Sequence, residues 1–491
     1  MDPRPLVAPL VPAAAALLAL ATGRWPNLRD AWSPLAAVAS FGVLVSLLPE
    51  VLAGHEPSAS VLALAPGFPL HLRADAFGLL FALLASGLWT VASVYNVAYM
   101  RAAREKHQTG YYACFALCVS AALGVALAAN LVTFFVFYEV LTLATYPLVA
   151  HRRTPEAVAS GRKYLAYTLG AGQLLLIAVV AAATLAPGAE FRPGGFLAGT
   201  ASRPVLGLLC AMFLAGCGVK AALMPLHAWL PAAMVAPTPV SALLHAVAVV
   251  KAGTFGCVRV VGWVFGTDLM RDLGADVALA SAAAATILLA SLRALGEQNL
   301  KRRLAYSTVS QLSYVLLGAG LGSAAALAGA MFHMAAHGLM KITLFFCAGS
   351  IYLRTHRAEI PELAGIGRSM PVTMAAFTAG ILGLAGVPGL AGFVSKWNLG
   401  LGSLEAGQGG FIAVLVLSGL LNAAYFFPIA YAGFFGGGGR VRFDEASPAL
   451  WLPLAATAGA AVALGLVPGA GLHLHELAWQ AARNVVAGGR P

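Results

Sequence analysis

The sequence predicts an all-α polytopic membrane protein of about 14 transmembrane helices, with two inverted five-helix repeats in which helices 7 and 12 are broken. Of the 491 residues, 60% are hydrophobic and only 10% are charged. A soluble protein of this length needs more charge to cover its surface. The apolar runs are long and continuous, which favours helices over the short alternating segments of a barrel.

A helix needs roughly 20 apolar residues to cross the hydrocarbon core. Such runs lie at residues 6–22, 35–53, 75–100, 110–128, 130–150, 161–185, 203–223, 237–265, 275–295, 304–322, 324–354, 371–400, 411–436 and 449–468. The first run has a weak basic start and no clear cleavage site, so we interpret it as a retained helix rather than a signal peptide.

The spans group into four parts along the chain. Helices 1–3 occupy residues 1–109, and the first five-helix repeat (helices 4–8) occupies 110–265. The second repeat (helices 9–13) occupies 266–436, and helix 14 with a C-terminal tail occupies 437–491. The two halves are otherwise too diverged for their sequences to establish the repeat.

Basic residues alternate between successive connections, which predicts the orientation of the chain. Connections after even-numbered spans hold few, chiefly Arg73, Arg192, Arg203 and Arg271. The positive-inside rule then places the odd-numbered connections in the cytoplasm and both termini on the outer side of the cell (inner) membrane. The basic residues that follow spans 1, 3, 5, 9, 11 and 13 are Arg24, Arg29, Arg101, Arg104, Lys106, Arg152, Arg153, Arg162, Lys163, Lys301, Arg302, Arg303, Arg354, Arg357, Arg368, Arg440 and Arg442.

The composition argues against several other classes of protein. The net charge of +11 comes from basic residues scattered between apolar runs, without the aromatic-interleaved patch of a nucleic-acid interface. The six cysteines lie in apolar runs and form no Cys-x-x-Cys pair, so we expect no iron–sulfur or zinc site.

Several ionisable side chains lie inside the predicted spans. Four of the seven lysines do so, and Glu139 is the one acid near the middle of a span. A charge at the bilayer centre costs about 2.5–3.5 kcal/mol on insertion scales, so these side chains should face a wet or mutually paired interior. We interpret them as a proton relay in which several lysines share one carboxylate. Structural ion pairs, or lysines reaching to the interface, are the alternative. The four lysines are Lys220, Lys251, Lys341 and Lys396.

Span 11 carries a stripe of titratable residues at helical spacing. His333, His337 and Lys341 are four residues apart, so they lie along one helix face. Histidine titrates near neutral pH and passes protons through either ring nitrogen, which favours a relay over a zinc site that lacks a third ligand. In span 8, His245 and Lys251 are on different faces, so we expect Lys251 to face the route and His245 to bridge to a neighbouring helix.

Proline and glycine interrupt two of the predicted spans. Lys220 is followed by Pro225 and further prolines, while Pro388, Gly389 and Gly392 precede Lys396. Each interruption can expose backbone carbonyls at membrane depth. Broken helices at corresponding places in two halves are typical of inverted-repeat transporters, with Lys220 and Lys396 in equivalent positions.

Four motifs carry a resemblance that covers residues 75–435. FYEVLTLATYPLV, LMPLHAWLPAAMVAPTPVSALLHAVAVVKAG, NLKRRLAYSTVSQLSYVLLG and HMAAHGLMKITLFFCAGS resemble the antiporter-like subunits of respiratory complex I and of Mrp-type cation/proton antiporters. The resemblance implies a lateral polar axis. It assigns this axis to Glu139, Lys220, Lys251 and Lys396, with the span-11 stripe as its central connector.

Several residues depart from typical members of the family and indicate which subgroups the chain resembles. Lys396 stands where one complex I chain typically has glutamate, and Lys251 resembles D-type Mrp chains or the shorter complex I chains. Ala232 replaces an aspartate of many relatives, which puts a role for that carboxylate in doubt. The sequence ends soon after span 14, so we expect no long lateral helix.

The sequence therefore predicts a proton-translocating subunit of a complex I-like or Mrp-like assembly, coupled either to quinone-linked electron transfer or to cation exchange. The alternatives are a D-type chain of an Mrp-type Na⁺(K⁺)/H⁺ antiporter without redox function, and a membrane coupling subunit of a hydrogenase-like or inorganic-carbon-uptake complex. No glycine-rich nucleotide loop, flavin motif or metal cluster is visible in the sequence. We therefore expect no bound cofactor and no catalysis by the chain alone. An oxidoreductase activity would belong to the complex.

Overall fold

A computed structural model describes residues 2–65, 68–437 and 443–488 of the chain. The described chain is almost entirely helical, which confirms the predicted fold class. Arg440 and Arg442, two of the residues used to orient the chain, lie outside the described residues. The elements in chain order are α1 (Arg4–Ala21), α2 (Pro26–Leu52), β1 (Ser58–Ala65), β2 (Phe68–Arg73), α3 (Ala76–Ala102), α4 (Gln108–Leu127), α5 (Leu131–Val149), α6 (Pro155–Leu185), α7 (Arg203–Lys220), α8 (Trp229–Ala232), α9 (Thr238–Ala242), α10 (Val249–Arg259), α11 (Thr267–Asp272), α12 (Ala275–Gly296), α13 (Leu300–Leu321), α14 (Ala324–Thr355), α15 (Ile366–Ser369), α16 (Pro371–Ala385), α17 (Ala391–Glu405), α18 (Phe411–Phe435), α19 (Pro448–Leu466) and α20 (Leu474–Val486).

Twelve helical spans in the described residues are long and apolar enough to cross a membrane. The other two predicted spans correspond to α13 and to the pair α16 and α17. The helix α13 is less apolar because Gln311 and several serines interrupt its apolar sequence. Neither α16 nor α17 is long enough to cross a membrane by itself, because each has only 15 residues.

Polar side chains cap several of these helices and fix where they begin. Asn130 accepts a hydrogen bond from the backbone of Thr133 at the start of α5, and Thr154 does the same at the start of α6. Asn299 and Ser323 cap α13 and α14 in this way. Each cap satisfies one of the backbone N–H groups that a first helical turn leaves free.

Both predicted helix breaks are present. After α7 ends at Lys220, the chain passes through turns and the short α8 before α9 begins. Residues 386–390 separate α16 from α17, and Gly386 and Gly389 have φ angles of +92° and +85° that favour glycine. The two lysines are not equivalent relative to these breaks, because Lys220 ends the first half of its helix whereas Lys396 lies in the second half of its own.

The eighth span, Thr238–Phe265, is wholly buried and is not a regular α-helix. Two π-helical segments, Leu243–Val247 and Val260–Phe265, flank α10. This span packs beside α14, which is also almost wholly buried. These two central helices carry five of the eight predicted site residues: His245, Lys251, His333, His337 and Lys341.

Ion pairs between the loops that join successive spans show which loops lie at the same end of the bundle. Arg101 pairs with Asp30 at 2.6 Å, and Arg152 pairs with Glu105 at 2.9 Å, which joins the connections after spans 1, 3 and 5. At the other end, Arg73 contacts Glu190 at 3.3 Å and joins the connections after spans 2 and 6. Odd and even connections therefore gather at different ends, as the alternation of basic residues predicts.

Two elements were not predicted from the sequence. The strands β1 and β2 form an antiparallel hairpin between α2 and α3. The helix α20 buries Leu477, Ala481 and Val485 along one face, and Val485 lies against Gly262 of the eighth span. Both are too short to cross a membrane, so a search for long apolar runs does not find them.

Candidate ion-translocation site

Buried cations form the centre of the candidate site. Lys220, Lys251 and Lys341 are fully buried, whereas Lys396 is half-buried. Glu139, the acidic residue of the predicted set, is also half-buried. The residues on the central helices are therefore closed off, and Glu139 and Lys396 lie nearer to the surface of the chain.

The Lys220 amine donates a hydrogen bond to a backbone carbonyl rather than pairing with a carboxylate. Its Nζ donates a hydrogen bond of 2.5 Å to the carbonyl oxygen of Tyr138 in α5 and lies 3.3 Å from the centroid of the Tyr138 ring. Glu139 and Lys220, both within the described chain, do not come within the 4.0 Å of an ion pair. The Oε1 atom of Glu139 has no hydrogen-bond partner in the described chain, and the carboxylate lies against Gly172 of α6. The carboxylate and the amine are thus neighbours without being paired.

Lys251 links the eighth span directly to α14. Its Nζ lies 3.0 Å from His337 Nδ1 and donates a hydrogen bond of 2.8 Å to the carbonyl oxygen of Met334. One helical turn away, the rings of His337 and His333 are 6.0 Å apart between centroids. The spacing in the sequence predicts this stacking of the two histidines along α14.

Lys341 completes the stripe along α14 but contacts other helices. Its Nζ donates a hydrogen bond of 3.1 Å to the carbonyl oxygen of Leu304 in α13 and lies 5.5 Å from the ring of Phe426 in α18. Its amine thus contacts two other helices, α13 and α18.

His245 lies in the first π-helical segment, where its ring packs on α14. The centroid of the ring is 4.6 Å from that of Phe345. Within the described residues, neither ring nitrogen has a hydrogen-bond partner. His245 therefore reaches a neighbouring helix, as expected, but through ring packing rather than a hydrogen bond.

At the far end of the site, Ser395 connects the histidines to the helix that carries Lys396. His333 Nδ1 lies 2.7 Å from Ser395 Oγ. The next residue, Lys396, donates hydrogen bonds to the carbonyl oxygens of Leu384 (2.6 Å) and Ala385 (3.0 Å). These carbonyls end α16, where the helix dipole is negative and the carbonyl groups lack helical partners, so the position suits a cation.

Tyr314 of α13 is a second connector at this end. Its ring lies 5.4 Å from the ring of His333 and 5.1 Å from Lys396 Nζ. The Tyr314 hydroxyl donates a hydrogen bond of 2.6 Å to Ser418 of α18, which continues to Asn422. Sequence analysis missed Ser395, Tyr314 and this cluster, because uncharged polar residues are common in membrane helices and only tertiary packing distinguishes these.

The arrangement brings together groups that can exchange protons but not groups that hold a metal. In the residues that the structure describes, no cluster of three or more histidine, cysteine, aspartate or glutamate side chains could bind a metal ion. Lysine, histidine and hydroxyl groups instead follow one another from α10 through α14 to α17. This order suits transfer of protons through the interior of the membrane-spanning bundle.

The chain is similar in sequence to subunits of known membrane complexes. Residues 128–422 match the sequence profile of the family described as NADH:quinone oxidoreductase/Mrp antiporter, TM. The chain is 36% identical to NADH-quinone oxidoreductase subunit N of Desulforudis audaxviator over 372 residues, 74% of this chain and 72% of that protein. It is also 32% identical over 332 residues to a probable K(+)/H(+) antiporter chain of Rhizobium meliloti, which covers 67% of this chain and 32% of that protein.

Two solved structures share the fold. A chain of the Mrp complex from Dietzia sp. superposes with a TM-score of 0.83 and 24% identity, covering 99% of this chain and 98% of that one. A chain of the archaeal membrane-bound sulfane sulfur reductase superposes with a TM-score of 0.88 and 23% identity, covering 99% of both. At these identities the likeness shows a common architecture.

Proposed function

The chain belongs to the NADH:quinone oxidoreductase/Mrp antiporter transmembrane family, and from this premise we propose that it moves protons as one subunit of a multisubunit membrane complex. One observation carries the proposal. Buried contacts continue from Lys251 to His337, from His337 to His333, and from His333 to Ser395 beside Lys396. A series of titratable groups is costly inside a membrane protein and is retained where ions move.

Proton uptake is assigned to Glu139 and Lys220. The Oε1 atom of Glu139, without a partner in the described chain, is free to accept a proton. Pairing with a carboxylate favours the charged form of a lysine, and separation in a dry site favours the neutral form. A change in the distance between Glu139 and Lys220 therefore controls whether Lys220 keeps or passes on its proton.

Transfer continues through the central helices. The Lys251 ammonium gives a proton to His337 Nδ1, which lies 3.0 Å away, and becomes a neutral amine. The resulting imidazolium releases a proton from Nε2, and His333 accepts it across the gap between the two rings. His333 then passes a proton through the Ser395 hydroxyl toward Lys396, where release occurs. His245 and Lys341 flank this route and adjust its charge.

Two five-helix repeats, at residues 110–265 and 266–436, are proposed as the units of this mechanism. Each contains one broken helix that carries a lysine, Lys220 at the end of α7 in the first and Lys396 in α17 in the second. A superposition of the second repeat on the inverted first repeat tests this division.

Both termini are proposed to lie on the outer side of a cell (inner) membrane, with the odd-numbered connections in the cytoplasm. The experiment is labelling of single introduced cysteines with a membrane-impermeant maleimide in right-side-out vesicles. Arg192→Cys should react and Lys106→Cys should react only after permeabilisation. The reverse pattern contradicts the orientation. The native cysteines, buried or half-buried, give the background.

Other membrane subunits are the proposed partners. Glu139 and Lys396 are only partly buried by this chain, so neighbouring chains should cover both ends of the series. The complex couples proton movement either to quinone-linked electron transfer or to exchange of Na⁺ or K⁺. The similarity to a probable K(+)/H(+) antiporter chain supports the second coupling. A coupling subunit of a hydrogenase-like or inorganic-carbon-uptake complex uses the same fold without moving protons itself.

The test of proton transfer is the variant Lys251→Met in the intact complex, with proton movement followed by a fluorescent pH probe in membrane vesicles. Loss of the amine removes the donor to His337, so proton movement should cease while the complex still assembles. Lys106→Met, which changes an exposed lysine, is the matched control and should keep full activity. Undiminished proton movement in Lys251→Met contradicts the route and favours a purely coupling role for the chain.

The coupling is tested by purification of the tagged chain in mild detergent with identification of every co-purifying chain. Partners with iron–sulfur clusters and a quinone site assign the chain to a redox-driven pump. Sister antiporter-like chains with small membrane chains alone assign it to a cation/proton exchanger, and Na⁺ or K⁺ should then stimulate proton movement.

A further inference from the structure

A cavity of about 750 Å³ opens at the end of the bundle that holds the odd-numbered connections. Its walls come from the starts of α6 and α13, the end of α14 and the turns between α7 and α9. None of the eight predicted site residues, from Glu139 to Lys396, lines it.

Cationic side chains outnumber acidic ones in the lining of this cavity, although Arg152 and Arg302 form ion pairs with Glu105 (2.9 Å) and Glu297 (3.2 Å). Its two acidic residues are Glu156 and Glu359, and Glu359 already accepts a hydrogen bond of 3.1 Å from Asn299. Lys163 is exposed and takes part in none of the ion pairs of the described residues. The five cationic residues of the lining are Arg152, Lys163, Lys301, Arg302 and Arg357.

Two long helices begin at the wall of the cavity. The N-terminus of the 31-residue α6 contributes Thr154, and that of the 22-residue α13 contributes Asn299 and Leu300. A helix N-terminus carries a partial positive charge, which favours an anion there. The backbone and the side chains therefore attract the same kind of ligand.

Part of the remaining lining is apolar. Pro231, Met234 and Ala348 contribute to it, next to the phenol-bearing Tyr306 and Tyr352. A free phosphate ion would be small for a cavity of about 750 Å³ and would gain nothing from these side chains. A molecule that joins a phosphate to an apolar part matches both kinds of lining.

We infer that this cavity binds the phosphate-bearing headgroup of an anionic phospholipid. Basic pockets between transmembrane helices on the cytoplasmic side are suited to such headgroups, because the cytoplasmic leaflet is rich in anionic lipids. The cavity lies at the end of the bundle that the basic connections assign to the cytoplasm. The inference goes beyond the proposed proton route and holds for either coupling.

A lipid in this place would contact the segment that follows the first helix break. Ala228, Ala232 and Val235 of this segment line the cavity, and the segment joins Lys220 to the eighth span. Bound lipid would therefore hold Lys220 and Lys251 in a fixed relation and stabilise the folded chain.

The test measures the thermal stability of the purified, delipidated complex with added phosphatidylglycerol or phosphatidylcholine. Phosphatidylglycerol should raise the Tm of the wild type more than phosphatidylcholine does. The variant K163Q/R302Q/R357Q should lose at least half of that difference. The matched control R24Q/K106Q/R162Q removes three exposed positive charges from the same end of the bundle, outside the cavity, and should keep it. If the triple variant does not fold, Lys163→Gln alone should reduce the difference.

Four results would overturn the inference. Equal shifts with the two lipids would exclude a headgroup site, as would equal shifts in the triple variant and the wild type. A full shift produced by glycerol phosphate would identify a water-soluble phosphate compound as the ligand. Loss of a co-purifying chain from the triple variant, with an unchanged lipid effect, would identify an acidic protein segment instead.

Discussion

At the scale of single residues, buried lysines bind main-chain carbonyl oxygens of neighbouring helices. Each of these bonds places an ammonium group on a helix other than its own or across a helix break. Carbonyl groups do not titrate, so they stabilise the cation without fixing it in a permanent ion pair. The acceptors are Tyr138 for Lys220, Met334 for Lys251, Leu304 for Lys341, and Leu384 and Ala385 for Lys396.

The place of the Glu139 carboxylate depends on the absence of a side chain at Gly172. A Cβ atom there would lie 2.7 Å from Glu139 Oε1, so Gly172→Ala should displace the carboxylate. The carboxylate is the far end of a flexible side chain, so it can move aside at little cost in stability, and its displacement should slow proton movement. Gly170→Ala on the same helix meets no atom within 4 Å and is the control. Equal proton movement in the two variants would show that the position of Glu139 is unimportant.

The hydroxyl of Ser395 should carry the connection between His333 and the helix of Lys396. Ser395→Ala removes the 2.7 Å contact with His333 Nδ1 and leaves that buried nitrogen without a partner. The loss costs about 1–3 kcal/mol of stability. It should also slow proton movement, because the hydroxyl between His333 and the helix of Lys396 is gone. Ser403→Ala removes a buried hydroxyl of the same helix that donates a hydrogen bond of 2.9 Å to the carbonyl oxygen of Leu399, and should have little effect. Similar rates in the two variants would contradict the role of Ser395.

At the scale of elements, irregular helix geometry coincides with the functional residues. His245 lies in a π-helical segment, and such segments are frequent at functional sites. Lys220 and Lys396 border helix breaks, where glycine and proline permit the backbone to leave the helix. The bundle tolerates these irregular parts because they lie where other parts of the protein can satisfy their backbone groups.

The break in the twelfth span requires close contact between its halves. A Cβ atom at Gly392 of α17 would overlap the carbonyl oxygen of Gly383 in α16. Gly392→Ala should therefore separate the two half-helices and reduce stability by about 1–3 kcal/mol, while moving Lys396 from its carbonyl acceptors. Gly400→Ala in the same half-helix meets no atom within 4 Å and should be neutral. Melting of the purified proteins, followed by tryptophan fluorescence, distinguishes these outcomes, and a neutral Gly392→Ala would show that the halves can move apart freely.

Long apolar runs made most elements predictable from the sequence, and the short elements were not. The fourteen runs correspond to helices, and the prolines near residues 225 and 388 marked both breaks. The β1–β2 hairpin and α20 are stabilised by contacts with the ends of other helices, which a search by length cannot see. Some helix bounds also differ from the predicted ones. For example, α6 begins at Pro155, next to its cap Thr154, rather than at residue 161.

At the scale of the whole molecule, one buried ion pair joins the N-terminal helices to the central span. Arg259 of α10 pairs with Asp75, the cap of α3, at 2.6 Å. Both side chains are buried, and the guanidinium lies 4.6 Å from the ring of Trp263. The pair is outside the proton route and holds α3 against the helix that carries Lys251.

Loss of the Asp75 charge should destabilise the whole bundle. Asp75→Asn leaves Arg259 buried without a counter-charge, and removal of one partner of a buried pair costs about 3–5 kcal/mol. Asp268→Asn breaks an exposed pair with Arg271 and should change stability by about 1 kcal/mol or less. The melting temperature of each variant in detergent checks this, and equal melting temperatures would contradict a structural role for the buried pair.

The residues of the proposed proton route could be chosen from the sequence, but their contacts could not be predicted. Charge inside an apolar run identified Lys251 and the stripe that includes His337, because such charges are rare in membrane helices. The 3.0 Å contact between Lys251 and His337 depends on how α10 packs against α14, 86 residues apart in sequence. The separation of Glu139 from Lys220 could not be predicted either, since it depends on the Tyr138 carbonyl that binds the lysine instead.

The carbonyl oxygens that bind the lysines also allow vibrational spectroscopy to detect whether each lysine is protonated. A carbonyl that accepts a hydrogen bond from an ammonium group absorbs at a lower infrared frequency than one that faces a neutral amine. A ¹³C label at the carbonyl carbon of Tyr138 or Leu384 would separate its band from those of the other peptide groups. The backbone would then report, without any change of side chain, when Lys220 or Lys396 carries a proton during turnover.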